Sequence, residues 1–175
     1  LDLHHEAFGA DIVLVDMQAT ALVPAAAAVR AAGKGRVETR VCDVSNYDAM
    51  RALADDVVKT LGGVHIVFNN AGVGFGGLIW EHSAQDWDWV IGVNVMGVAH
   101  GVRVFTPMML AAAKADPAWQ GHIVNTASMA GMINAPNMGV YNVTKHAVVA
   151  LSETLYQDLA LVTEQVAITI YLADL

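Results

Sequence analysis

Cysteine is almost missing from this chain: Cys42 is the only one among 175 residues. A single thiol excludes an intrachain disulfide and fits a reducing setting, so a cytoplasmic location is the expectation. Cys42 itself reads as a small buried hydrophobe at the end of a strand. Basic residues are scarce as well. Nine Lys and Arg stand against 17 Asp and Glu, giving a formal net charge of −8 and a pI near 5.1. The nine are scattered, so no nucleic acid and no anionic membrane is expected as a partner, since both reward clustered positive charge. Long uninterrupted apolar runs are lacking. The longest are broken by His100, Arg103 and Pro107, or by Glu153 and Asp158, well short of the roughly 20 residues that cross a bilayer. No basic stretch leading into a short apolar one opens the chain, so neither a membrane span nor a leader is expected.

With 55% hydrophobic residues the chain can bury a sizeable core, and its length suits one domain over residues 1–175. The segments DIVLVD (11–16), VETRVCDV (37–44), VHIVFNNAG (64–72), HIVNTAS (122–128) and VAITIYL (166–172) are rich in β-branched residues, as strands buried on both faces should be. Between them lie segments with helical spacing: 19–33, 46–63, a long one from Ser83 to Ala115, and 138–161. Ser45 and Ser83 stand where N-caps belong, Gly33 and Gly62 where helices should stop. Strand, helix, strand in repetition with short connections predicts a doubly wound parallel sheet, Rossmann-like, in three α/β/α layers. ADPAWQG (115–121) reads as a surface turn, and Trp80, Trp87 and Trp89 as packing under an adjoining loop.

In such a fold the ligand crevice lies at the carboxyl ends of the strands. Each of the first four runs closes on a polar group there: Asp16, Asp43, Asn69 to Gly72, and Ser128. An acidic residue at the position of Asp16 accepts both hydroxyls of an adenosine ribose and repels a 2′-phosphate. Met17 follows it rather than Arg, which favours NAD over NADP. The competing reading of Asp16 is a carboxylate closing a turn. Further along, GVYNVTKHAVV places Tyr141 and Lys145 at i and i+4 in an otherwise largely apolar helix, where an ammonium is expensive unless it has a partner or a task.

NNAG at 69–72, Asn94 within VNVMG, Ser128 within NTASMAG, and Tyr141 with Lys145 in YNVTK stand together in one order. In that order and spacing the chain resembles the short-chain dehydrogenase/reductase family over roughly residues 6 to 170. The resemblance implies that Tyr141 is the general acid/base. Lys145 would bind the nicotinamide ribose hydroxyls and bring the tyrosine, ordinarily near pKa 10, into working range. It implies that Ser128 steadies the substrate oxygen and that Asn94 holds a water relaying protons between Lys145 and solvent. Asp43 and Val44 fall on the adenine side, and Asn70, Ala71 and Gly72, after Asn69, let backbone approach the cofactor. No metal is implied.

Two parts of the family pattern are missing. The opening strand and glycine-rich phosphate turn are not found in LDLHHEAFGADIV, and the Pro-Gly turn and substrate lid are not found after VAITIYLADL. Segments are therefore expected to be absent from this sequence at both ends.

The function expected is an NAD-dependent oxidoreductase interconverting a secondary alcohol and a ketone. Met129, Met132, Ile133, Pro136 and Met138 suggest a small hydrophobic substrate. The alternatives are an NADPH-dependent carbonyl or 3-oxoacyl reductase, and a non-catalytic dinucleotide-fold module whose role is association. Apolar residues spread around more than one face of the last two long helices, so a homodimer or homotetramer is expected, with Leu151, Leu155 or Leu159 at or near its seam.

Overall fold

A computed structural model describes residues 9–173. The segments on which the phosphate turn and the lid were judged missing fall partly at 1–8 and 174–175, outside the described residues.

The elements follow the expected alternation: β1 (Ile12–Asp16), α1 (Ala19–Ala32), β2 (Val37–Val41), α2 (Tyr47–Leu61), β3 (Ile66–Asn69), α3 (Ala84–Ile91), a π-helical turn (Gly92–Met96), α4 (Gly97–Ala115), β4 (Gly121–Ser128), α5 (Gly139–Ala160) and β5 (Val166–Ala173). All strand pairs are parallel. The five strands read from the sequence are present, as two parallel ladders, β1-β2 and β3-β4-β5. Strand count follows from composition, but pairing depends on which strands become neighbours, and no described strand joins the two ladders.

The chain divides accordingly into two compact units. Among the described residues the first holds 9–43 and 48–63. In it β1, α1 and β2 form a parallel strand-helix-strand unit closed by Leu14, Leu22, Ala26 and Val29, with Ile12 and Val37 against them. Gly62 ends α2 at φ +86, with its N–H on Val58 O at 2.8 Å, a conformation that side chains with a Cβ resist. Gly33 stops α1 differently, in extended backbone. Cys42 is buried, its Sγ 3.9 Å from Met50 Sδ, and burial raises its thiol pKa.

Among the described residues the second unit holds 44–47 and 64–173. Its core packs α4 and α5 on the sheet through Val98, Ala127 and Val148, with Val149, Leu151 and Ile170 beside them. Ser83 starts α3 with a complete capping box: Asp86 N–H donates to Ser83 Oγ at 3.2 Å, and Ser83 N–H donates to the Asp86 carboxylate at 2.8 Å.

The continuous helix Ala84–Ala115 is long and apolar enough, by length and composition, to cross a membrane, which the interrupting residues had argued against. It behaves as a core helix: Asn94 and His100 on it are buried and hydrogen-bonded to protein partners, and Val104, Phe105 and Met109 are buried. Trp80 departs from expectation. It lies 77% exposed, and Trp89, though stacked on Phe75 at 6.1 Å between ring centroids, is 49% exposed.

The proposed seam needs correction. Leu155 and Leu159 are covered by their own chain, at 8% and 4% exposed. They fall on one stripe with Val148 and Ser152, at steps of four, three and four, and that stripe faces the sheet. Leu151 is half-buried, and Val143, Leu161 and Val162 are exposed on or just beyond the same helix. Counting apolar residues around α5 did not reveal which stripe the sheet would cover.

Candidate active site

The second unit brings Tyr141, Lys145, Asn94, Ser128, Val44 and the NNAG segment together with the β3-β4-β5 ladder. Asp16 and Asp43 belong to the first unit.

The first turns of α5 set the tyrosine and lysine one turn apart, and the Lys145 Nζ lies 5.5 Å from the Tyr141 ring centroid. Lys145 is only 3% exposed. Its Nζ donates to Thr126 O at 2.9 Å, which leaves two ammonium hydrogens for another acceptor. Burial penalises the charge and lowers the lysine pKa below its ordinary 10.5. A cation kept at this expense, with donors in hand, is suited to a ligand rich in hydroxyl oxygens.

Glycines make room around the pair. A Cβ on Gly74 would come within 2.7 Å of Tyr141 Cδ2, and one on Gly131 within 2.8 Å of Lys145 O. At Gly72 the same atom would stand 3.6 Å from both Asn94 Oδ1 and Lys145 Nζ. Bare backbone at Gly72 therefore passes close to the lysine and the asparagine, and at Gly74 close to the tyrosine. Gly77, at φ +151, is joined to Met138 by an isolated parallel bridge, tying the loop after β3 to the approach to α5.

Asn94 sits in the π-helical turn, where i→i+5 bonding accommodates one inserted residue and shifts a side chain off the regular helical register. Its Oδ1 accepts from Val73 N–H at 2.8 Å, and its Nδ2 donates to Val73 O at 2.8 Å and to Thr144 Oγ1 at 3.0 Å. Both amide hydrogens are thus taken, and a water on this side chain can attach only at the remaining Oδ1 lone pair. Thr144 Oγ1 in turn donates to Tyr141 O at 2.8 Å, so the asparagine is braced against the tyrosine's own backbone.

Ser128 is fully buried at the end of β4, and its Oγ accepts from Ala130 N–H at 3.1 Å. It caps the short 3₁₀ turn that follows, the competing reading of a strand-end serine, while its hydroxyl hydrogen stays available to donate. Asn70 Oδ1 accepts from Thr126 Oγ1 at 3.0 Å. Asn69 is structural: its Nδ2 donates to Asn125 Oδ1 at 2.8 Å, its side chain packs against Gly101, and Asn125 continues to Ser152 Oγ at 2.9 Å.

In the first unit Asp16 ends β1 exposed, and its Oδ1 accepts from Gln18 N–H at 2.7 Å. The turn reading and the ribose reading coexist here, since the turn engages one carboxylate oxygen in that bond. Asp43 is exposed just after β2.

Sequence reasoning missed Thr126, Thr144, Gly74, Gly131 and His100. Thr126 acts through its backbone carbonyl, which no side-chain pattern signals. Thr144 lay within the quoted YNVTK but was passed over between the two titratable groups. The ribose end of a dinucleotide fits what the second unit holds: a buried ammonium with donors to spare and glycine backbone beside it.

The family whose model matches residues 5–171 is described as short chain dehydrogenase. A C alpha-dehydrogenase of Sphingobium is 34% identical over 152 residues, which cover 86% of this chain and 48% of that protein. A short chain dehydrogenase/reductase of Burkholderia phymatum, solved in complex with NAD, is 48% identical with a TM-score of 0.85, over 94% of this chain and 56% of that one. A metagenomic short-chain oxidoreductase solved in complex with NADP is 31% identical with a TM-score of 0.85, over 96% of this chain and 72% of that one. The chain spans about half the length of the curated relatives it matches, 55% and 48% in two of them.

Proposed function

The chain belongs to the short-chain dehydrogenase family, and from that premise we propose that it is the proton-transfer and cofactor-binding part of an NAD-dependent oxidoreductase interconverting a secondary alcohol and a ketone. The observation that carries this reading is the buried Lys145, held by Thr126 O with its Nζ 5.5 Å from the Tyr141 ring.

Lys145 would hold the ribose hydroxyls of the cofactor with its two remaining hydrogens. Its charge, in a site of low dielectric, would favour the tyrosinate form of Tyr141. Tyr141 would take the proton from an alcohol or return it to a carbonyl oxygen, and Ser128 would donate to that same oxygen. Asn94, braced by Val73 and Thr144, would keep the start of α5 in register for both. Asn70, Ala71 and Gly72 would present backbone to the cofactor, with Val44 and Asp43 on its adenine side and Asp16 on the adenosine ribose. NAD, when bound, supplies the hydride acceptor at the nicotinamide C4.

Met129, Met132 and Ile133 lie 40%, 60% and 55% exposed ahead of α5, which favours a small, hydrophobic substrate. A cytoplasmic protein that assembles as a homodimer or homotetramer completes the reading. NADPH-dependent reduction of a carbonyl or 3-oxoacyl group is the second reading, favoured by the relative that carries NADP. A non-catalytic association module is disfavoured by a lysine left buried with donors in hand.

The test is to incubate the full-length polypeptide with NAD and secondary alcohols of increasing apolar size and to follow NADH formation. Cofactor-dependent oxidation is expected. Oxidation of none of them, with NADPH consumed on ketones instead, would establish the second reading.

A further inference from the structure

His100 is a buried imidazole for which the reaction above has no use. It is 5% exposed on α4, and its Nδ1 lies 3.0 Å from Val44 O. A carbonyl oxygen only accepts, so Nδ1 carries the hydrogen and the tautomer follows. Two further contacts hold the same short segment. A Cβ on Gly97 would come within 2.7 Å of Val44 Cγ2, so any larger residue there would push Val44 from its present seat. Tyr47 packs edge-on against the His100 ring at 5.5 Å and lies under the Arg103 guanidinium at 4.4 Å. Gly97, His100 and Arg103 follow one another at steps of three along α4 and form one cradle for residues 44–47.

The peptide unit is planar, so gripping the Val44 carbonyl fixes the plane of the bond leaving Val44 and with it the residue's own ψ. Without a donor there, a half-buried carbonyl would turn toward water rather than stay unpaired. Resting on the reading of Val44 as an adenine-side residue, we propose that His100 is a positioning residue for the adenine end of the cofactor, holding the 44–47 segment in its binding conformation and taking no part in proton transfer.

The experiment compares His100→Leu and His100→Asn in the full-length polypeptide, using AMP as the probe for the adenine end. AMP affinity is measured by displacement of fluorescent NADH, beside kcat and the KM for NAD. His100→Leu should weaken AMP and NAD together, by about tenfold, with kcat within about twofold of wild type. His100→Asn sets an amide N–H where the imidazole Nδ1 stood and should recover most of the affinity. Should His100→Leu fold poorly, Gly97→Ala displaces Val44 from the same cradle and should reproduce the loss.

Unchanged AMP affinity in both His100→Leu and Gly97→Ala overturns the inference. So does a loss confined to kcat, or an asparagine variant no better than leucine. If wild type oxidises alcohols with NAD while the His100 variants match it, this inference alone fails. If wild type binds neither NADH nor AMP, the reading of the site fails and takes this one with it.

Discussion

At the scale of single residues, the proposed site carries costs that a bound ligand would offset. Lys145 is the clearest. Burial lowers its pKa below 10.5, so the unfolded chain binds more protons than the folded one between that lowered value and 10.5. Stability should therefore rise with pH across that window. Lys145→Met should abolish the rise, increase Tm by roughly 2–4 °C at neutral pH, and remove turnover. Thermal melts of both proteins as a function of pH check this, and an equally steep alkaline rise in the variant would assign it to other groups. Asp16 supports a second expectation. With one oxygen on Gln18 N–H and no cation following it in sequence, it should favour NADH over NADPH by at least about tenfold, roughly 1.4 kcal/mol. Fluorescence titration of each cofactor decides, and equal or tighter NADPH binding removes the assignment.

At the scale of elements, local rules placed nearly every boundary. The capping box at Ser83 is one of them, and Ser83→Ala should cost about 1 kcal/mol, the usual loss for a serine cap, read as a shift of the denaturant midpoint. The Ser83 hydrogen bonds also lower the Asp86 pKa below 3.8. Its contribution should therefore be complete above 3.8 and vanish as pH falls through the lowered value, so the penalty of Ser83→Ala should shrink in acid. A penalty independent of pH would mean the box contributes nothing as an ion. Strands and helices were legible because β-branched runs, helical spacing, Ser83 and Gly62 act within a few residues. The division into two ladders was not, because pairing joins residues far apart. The π-helical turn at Asn94 was hidden too: GVNVM carries no proline to announce a change in helical geometry. In the candidate site, side chains with chemistry of their own could be named in advance, while Thr126 O, Gly74 and the cradle at Gly97 act through backbone or through a missing Cβ.

At the scale of the whole molecule, the proposed assembly rests on what the second unit leaves uncovered. A shallow depression lined by Val102, Ala150, Leu151, Thr154, Leu155 and Asp158 lies between α4 and α5, where a second copy would bury apolar surface in an isologous contact. Because Leu155 is spent on the chain's own core, Leu151→Glu is the informative substitution. Light scattering at micromolar concentration should show an oligomer for wild type and a smaller species for the variant, and a wild-type monomer would contradict the assignment. In the proposed function Tyr141, tuned by Lys145, moves the proton of an NAD-linked reaction. Its most direct test is the kcat of Tyr141→Phe beside the Kd of NADH. The account predicts a loss of at least about 10²-fold in kcat with NADH binding and Tm close to wild type; near-normal turnover by the phenylalanine variant would contradict it.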